Sequence, residues 1–311
     1  MTDPRPPRPK KVDVHGWVVL DKPIDVTSTH AVSQVRRLFN AKKGGHAGTL
    51  DPLATGLLPI ALGEATKTVP FVMDGRKTYR FDVTWGAETA TDDTEGEVVA
   101  TSETRPTREA VEALLPRYTG TIMQVPPAFS AIKVDGERAY DLARDGETPV
   151  LAARPVIIDV LRLVAFDTDK ATFEAECGKG TYVRSIARDI GRDLGCRGHV
   201  TALRRTRVGP FNEDDTVGLD ELGELMRGEV ADQTLDDALL PVEAALADVP
   251  EIKVTRDIAA RLVRGQSAMI RGRDAPVKGP CWVSAGGDPI ALAEIEGGEI
   301  VPKRVFVFAP G

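Results

Sequence analysis

The chain has 311 residues, 42% of them hydrophobic and 28% charged, enough to bury a full core and to hold more than one domain. No apolar run approaches the roughly 18 residues that span a bilayer, and the opening residues are rich in Pro and Lys/Arg without an apolar stretch. Three cysteines with no CxxC pair, beside four histidines at no ligand-like spacing, leave no basis for a disulfide framework or a zinc site, so a cytoplasmic protein with reduced thiols is expected.

The net charge of −7 argues against a nucleic-acid partner only until it is mapped along the chain. Residues 1–47 carry nine Lys/Arg against four Asp/Glu, residues 177–211 carry eight against two, and residues 212–239 carry one against ten. Much of the negative total therefore sits in one acidic segment, leaving two basic segments for phosphates if they fold onto one face.

Residues 1–14 read as a flexible basic tail. Residues 17–20 read as a short buried strand leading into Asp21-Lys22-Pro23, after which Thr27 or Ser28 can cap a helix running to about Phe39. Ala31, Val32, Val35, Leu38 and Phe39 lie at helical spacing, with Arg36 and Arg37 largely off that face. The helix delivers the string Gly44-Gly45-His46-Ala47-Gly48-Thr49-Leu50-Asp51-Pro52-Leu53-Ala54-Thr55-Gly56. Its glycines open backbone conformations closed to other residues, and Pro52 removes a donor and biases Asp51 toward an extended conformation, so the loop presents its carboxylate in a fixed shape. Residues 78–86 alternate as a half-buried strand, with Tyr79, Phe81, Val83 and Trp85 on one face.

A helix is expected over about 108–115, and strands over about 156–166 and 171–177 joined by a polar turn at 167–170. Tyr182 opens a second strong helix, with Val183, Ile186, Ala187, Ile190 and Leu194 apolar and Gly195 placed to end it. Residues 125–150, rich in Pro, Gly and charge, read as an excursion that packs only partly. The acidic stretch 212–239 reads as a helical connection. From about Pro241 a small unit follows, with a helix near 256–263 and strands near 281–284, 290–294 and 304–308. Strands in both halves with few intervening helices predict an α+β fold on a mixed or antiparallel sheet.

Several separated strings resemble, in order, motifs of the TruB family of tRNA pseudouridine synthases, from about Trp17 to Phe211. The loop matches HxGxLDPxAxG, which implies that Asp51 is the catalytic aspartate and that His46 enters the RNA loop when the target base leaves its stack. Val18-Val19-Leu20-Asp21-Lys22-Pro23 resembles the first motif; Lys22 then either holds a phosphate or buttresses the Asp51 loop. Tyr79 of Lys77-Thr78-Tyr79 matches the tyrosine that stacks on the target base. Gly178-Lys179-Gly180-Thr181-Tyr182-Val183-Arg184-Ser185-Ile186 resembles the motif in which the tyrosine lines the pocket and the arginine pairs with the catalytic aspartate. An arginine in the first turn of a helix opposes the helix dipole, which a carboxylate partner explains. Leu203 of Ala202-Leu203-Arg204-Arg205-Thr206-Arg207-Val208-Gly209 matches a base-contacting leucine.

The resemblance implies a cofactor-free isomerase without a metal that converts a uridine in the T loop of tRNA, at the position conventionally numbered 55. It further implies a catalytic domain over 15–240 with an RNA-gripping insertion at about 125–150, and a small PUA-like C-terminal domain over 241–311. Such an enzyme acts as a monomer without a protein partner or a membrane. The reaction breaks the N1–C1′ bond and rejoins the base through C5, so one anionic group suffices, whereas a typical glycoside hydrolase needs two carboxylates. Whether Asp51 attacks the sugar, adds to the base or removes a sugar proton stays open, as does a second role for Tyr79 in removing the C5 proton. The alternatives are a tRNA-binding or tRNA-folding protein, and a guide-RNA-dependent synthase subunit.

Overall fold

The structure, a computed structural model, describes residues 10–130, 133–134, 137–138, 151–269 and 278–308. Most of the excursion expected over 125–150 and most of the expected tail lie outside the described residues.

The first half of the chain gives β1 (Gly16–Lys22), α1 (Ser28–Leu38), β2 (Gly44–His46), β3 (Ala54–Leu62), α2 (Val69–Asp74), β4 (Lys77–Trp85), β5 (Ala87–Thr89), β6 (Val98–Thr101), α3 (Arg108–Leu114) and β7 (Gly120–Gln124). A short hairpin, β8 (Lys133–Val134) and β9 (Glu137–Arg138), precedes β10 (Arg154–Phe166), β11 (Lys170–Cys177), α4 (Val183–Asp193), β12 (Gly198–Val208), β13 (Phe211–Asn212) and α5 (Leu219–Arg227). One nine-stranded sheet runs in the order β1-β3-β12-β4-β11-β10-β7, with β2 on β3 and β13 on β12. Only β3 and β12 run parallel, so the sheet is mixed.

Local chemistry sets these elements. Of the two candidate caps, Thr27 caps α1, its hydroxyl accepting from the His30 N–H at 3.1 Å. In β4 the buried side chains of Phe81, Val83 and Trp85 alternate with more accessible neighbours. In α4, Val183, Ile186, Ala187 and Ile190 are buried against the sheet, and Gly195 ends the helix at φ +69°. Two central strands were absent from the sequence reading. In β3, Gly56 and Pro59 interrupt the strand pattern, and β12 carries three of its arginines, Arg204, Arg205 and Arg207, where a buried strand is expected to be apolar. The acidic stretch holds one helix, α5, flanked by single 3-10 turns at Glu213–Asp215 and Leu235–Ala238.

A second sheet is built from β14 (Glu251–Lys253), β15 (Ala268–Met269), β16 (Gly279–Ala285), β17 (Asp288–Glu296) and β18 (Glu299–Val305), in the order β14-β16-β17-β18-β15, with α6 (Arg256–Val263) packed on it. Its last strand ends at Val305, two residues into the 304–308 run expected from sequence; the Phe306 N–H still donates to Ile290 O at 2.9 Å while its ring packs outside the small sheet's own core. Phe306, Leu292 and Trp282 join Trp17, Phe211 and Val242 in one apolar cluster between the two sheets. Lys67 Nζ donates to Val305 O at 2.7 Å beside Glu64, whose carboxylate accepts from the Val307 N–H at 2.7 Å. Among the described residues no helix is long and apolar enough to cross a membrane.

Candidate active site

The Asp51 loop is held from four sides. Ser28, freed from capping, donates to Leu50 O at 2.9 Å and accepts from the Leu50 N–H at 2.8 Å. The Asp25 N–H donates to Pro52 O at 2.9 Å. Lys22, fully buried, donates to Pro52 O at 3.2 Å and also to Pro23 O and Val26 O. Arg205, 1% exposed, reaches under the loop from β12 to Leu57 O at 2.8 Å, Gly48 O at 3.1 Å and Thr49 O at 3.4 Å. Gly56, at φ +93°, lets β3 and β12 approach this closely: a Cβ there would lie 2.3 Å from Arg205 O.

Of the two roles open to Lys22, the buttress fits its place and phosphate binding does not. Its ammonium is out of solvent and already donates to three carbonyls. Burial lowers its pKa to about 8, with Asp51 pulling the other way.

Above the loop lies a cavity of about 460 Å³, of the size that takes a small ligand or a base. Asp51, Tyr79, Tyr182, Arg184 and Leu203 all line it, joined by Phe129, which the sequence reading did not single out. Arg184 Nη2 lies 2.9 Å from Asp51 Oδ2. The same guanidinium donates to Thr91 O at 2.8 Å and Phe129 O at 3.1 Å and lies 3.3 Å from Asp93 Oδ2. These acceptors compensate a positive charge that the dipole of α4 disfavours. Tyr79 is half-buried; burial holds its phenol above the ordinary value, while the neighbouring Arg205 pulls it down.

His46 does not line the cavity. It sits on β2 opposite Ile60, partly buried, and its Nδ1 finds no hydrogen-bond partner among the described residues. Burial, helped by the positive charge of Arg205, holds its pKa below 6.5.

Asp93 is the second acid near the centre that the sequence reading did not find. Its side chain is 1% exposed and lies against Arg184 without lining the cavity, so it does not form a facing carboxylate pair with Asp51. Asp93 belongs to a ladder: Arg184, Arg188 and Arg192, spaced by four along α4, meet Asp93, Asp92 at 2.9 Å and Glu88 at 3.0 Å. Burial pushes Asp92 up to about 6, with Arg188 opposing. The sequence signals were the arginine spacing, which marks one helix face, and the acidic turn Thr91-Asp92-Asp93-Thr94-Glu95-Gly96-Glu97.

Residues 36–183 match a family model described as TruB family pseudouridylate synthase (N terminal domain), and residues 184–247 match one described as tRNA pseudouridylate synthase B C-terminal domain. The border between them falls in the first turn of α4, although β12 lies inside the nine-stranded sheet. A tRNA pseudouridine synthase B of Bradyrhizobium diazoefficiens is 66% identical over 94% of this chain and 86% of its own length. One from Sinorhizobium medicae is 56% identical over 97% and 99%. Among solved structures, an archaeal box H/ACA sRNP Nop10-Cbf5 complex contains a chain with the same fold, at a TM-score of 0.71 and 23% identity over 94% of this chain and 86% of that one.

Proposed function

This chain belongs to the TruB family of pseudouridylate synthases, and on that footing we propose that it isomerises a uridine in the T loop of tRNA, at the position conventionally numbered 55, with Asp51 as its catalytic residue. The observation that carries the reading is a single cavity-lining carboxylate among the described residues, Asp51, gripped at 2.9 Å by Arg184 and faced by two tyrosines and a leucine. A hydrolase of the usual two-carboxylate kind has no second acid on the cavity wall among the described residues. An isomerase has to hold the detached base and keep water away, and a mostly apolar pocket suits that task.

The reaction conserves atoms: the N1–C1′ bond breaks, a C5–C1′ bond forms, C5 gives up its proton and N1 gains one. Arg184 fixes Oδ2 of Asp51, which orients the carboxylate toward the flipped-out nucleotide. Tyr79 and Tyr182 flank the base, and Leu203 closes the apolar side. Tyr79, with a phenol that burial keeps protonated, serves in stacking more readily than as a base. His46 occupies the space the base leaves, and its neutral ring suits a wedge. The unit over 241–311 and the excursion over 125–150 grip the RNA, and the enzyme works in the cytoplasm as a monomer. The guide-dependent reading is weaker, because the H/ACA likeness stands at 21–23% identity against 54–66% for relatives named tRNA pseudouridine synthase B.

The deciding experiment gives the purified protein tRNA transcripts tritiated at uracil C5, with no guide RNA. Release of tritium from the T-loop uridine is the expected result; none from any tRNA uridine would overturn the reading.

A further inference from the structure

The end of β7 meets the start of α4 through one side chain. Gln124, the last residue of β7, is 2% exposed; its Oε1 accepts from the Tyr182 N–H at 2.8 Å and its Nε2 donates to Tyr182 O at 3.1 Å. A carboxamide presents one acceptor and one donor side by side, as a peptide group does, so Gln124 pairs with the backbone of Tyr182 as a further strand would. Tyr182 is the N-cap of α4 and brings no side-chain cap of its own. Its carbonyl also accepts from the Ile186 N–H at 3.2 Å, the first bond of the helix. Gln124 therefore fixes the residue from which α4 departs, and Arg184 stands two residues further on.

The segment after Gln124 is tied to the same two turns of helix. Val125 O accepts from Ser185 Oγ at 2.9 Å and Arg188 Nη2 at 2.8 Å, and Phe129 O accepts from Arg184 Nη2. If packing alone were wanted under Tyr182, an apolar side chain would serve without the desolvation of an amide. The amide instead holds geometry, and at a reacting centre a misplacement of about 1 Å costs roughly a hundredfold in rate.

We infer that Gln124 is a positioning residue for the isomerisation, setting the backbone at Tyr182 and through it holding the Tyr182 ring at the cavity and Arg184 against Asp51. The inference rests on the proposed function above. Gln124→Met keeps length and bulk without either hydrogen bond. Single-turnover pseudouridine formation at saturating tRNA is expected to fall about tenfold to a hundredfold in that variant, with the dissociation constant for tRNA unchanged within about twofold. Gln124→Glu keeps the acceptor but, as a carboxylate, cannot donate to Tyr182 O. Its rate relative to the parent is expected to rise as pH falls from about 8 to about 5, because the protonated carboxyl regains the donor.

The charged and titratable groups around residue 124 are Arg154, its partner across the sheet, Tyr182 itself, and, one residue on at Val125 O, Arg188, which carries Asp92 and Asp189. The ratio removes the part of their titration common to parent and variant, and Gln124→Met followed over the same pH range gives the response of the site without an added carboxylate. A parental rate in Gln124→Met, a loss that lies wholly in tRNA affinity or in the folded fraction, or a Gln124→Glu ratio constant with pH would overturn the inference. Failure of the proposed function is distinguishable, since the parent itself would then make no pseudouridine.

Discussion

Arg184→Lys keeps the charge and removes the fork. The parent guanidinium serves Thr91 O and Asp93 through Nη1 and Asp51 and Phe129 O through Nη2. A lysine ammonium offers three donors from one atom on a shorter reach, so it cannot serve both groups. Asp93 is 1% exposed and Asp51 is 37% exposed, so the ammonium stays with the buried carboxylate, whose charge is the costlier one to leave alone, and releases Asp51. One charge-assisted hydrogen bond contributes about 1.5–3 kcal/mol, which at about 1.4 kcal/mol per decade is a loss of about 10- to 150-fold in the chemical step. Single-turnover pseudouridine formation with enzyme in excess reads that step, and filter binding reads tRNA affinity, which is expected to stay parental. A parental single-turnover rate, or a loss confined to affinity, would refute the reasoning that the fork at Arg184 orients Asp51.

Asp51→Asn keeps the side-chain size and removes the anion, so product is expected to fall below detection while tRNA still binds; pseudouridine made under single-turnover conditions by this variant would show that another group does the chemistry. Because phosphate contacts release counterions, tRNA affinity is expected to fall steeply on a log-log plot against salt despite the sequence pI of 5.3, and a flat plot would remove the idea of a continuous phosphate-binding face. His46→Phe is expected to retain more activity than His46→Ala, since the ring acts by shape. The histidine's pKa is lowered in the folded state, so the folded protein binds the proton less well than the unfolded chain does; parental stability should therefore drop relative to His46→Phe as pH falls below 6.5, and a difference that is flat with pH would contradict that shift.

The features legible in the sequence were those in which neighbours along the chain decide the outcome. The glycine and proline pattern around Asp51, the alternation of β4 and the apolar face of α4 are local, and each stands where it was expected. The ion-pair ladder was not legible because its two halves, the turn at 91–97 and one face of α4, become neighbours only through the fold. Arg205 was hidden for a related reason: a cation in a basic run reads as a surface contact for phosphate, whereas the parallel pairing of β3 with β12 draws this one under the Asp51 loop. Lys22 was half legible, since its neighbours allowed two roles and only its full burial separates them.

β1 is buried on both of its faces: Val18 and Leu20 point into the main core, and Trp17 and Val19 point into the cluster shared with the small sheet. A chain cut before β14 would leave Trp17, Phe211 and Val242 as an oily scar, the sort of surface that drives self-association. Truncation would then confound the RNA contact proposed for the small sheet with lost solubility, with no means of separating them. Substitutions at exposed positions of the last strand, such as Arg304, leave the seam closed and so test the RNA contact proposed for the small sheet by itself.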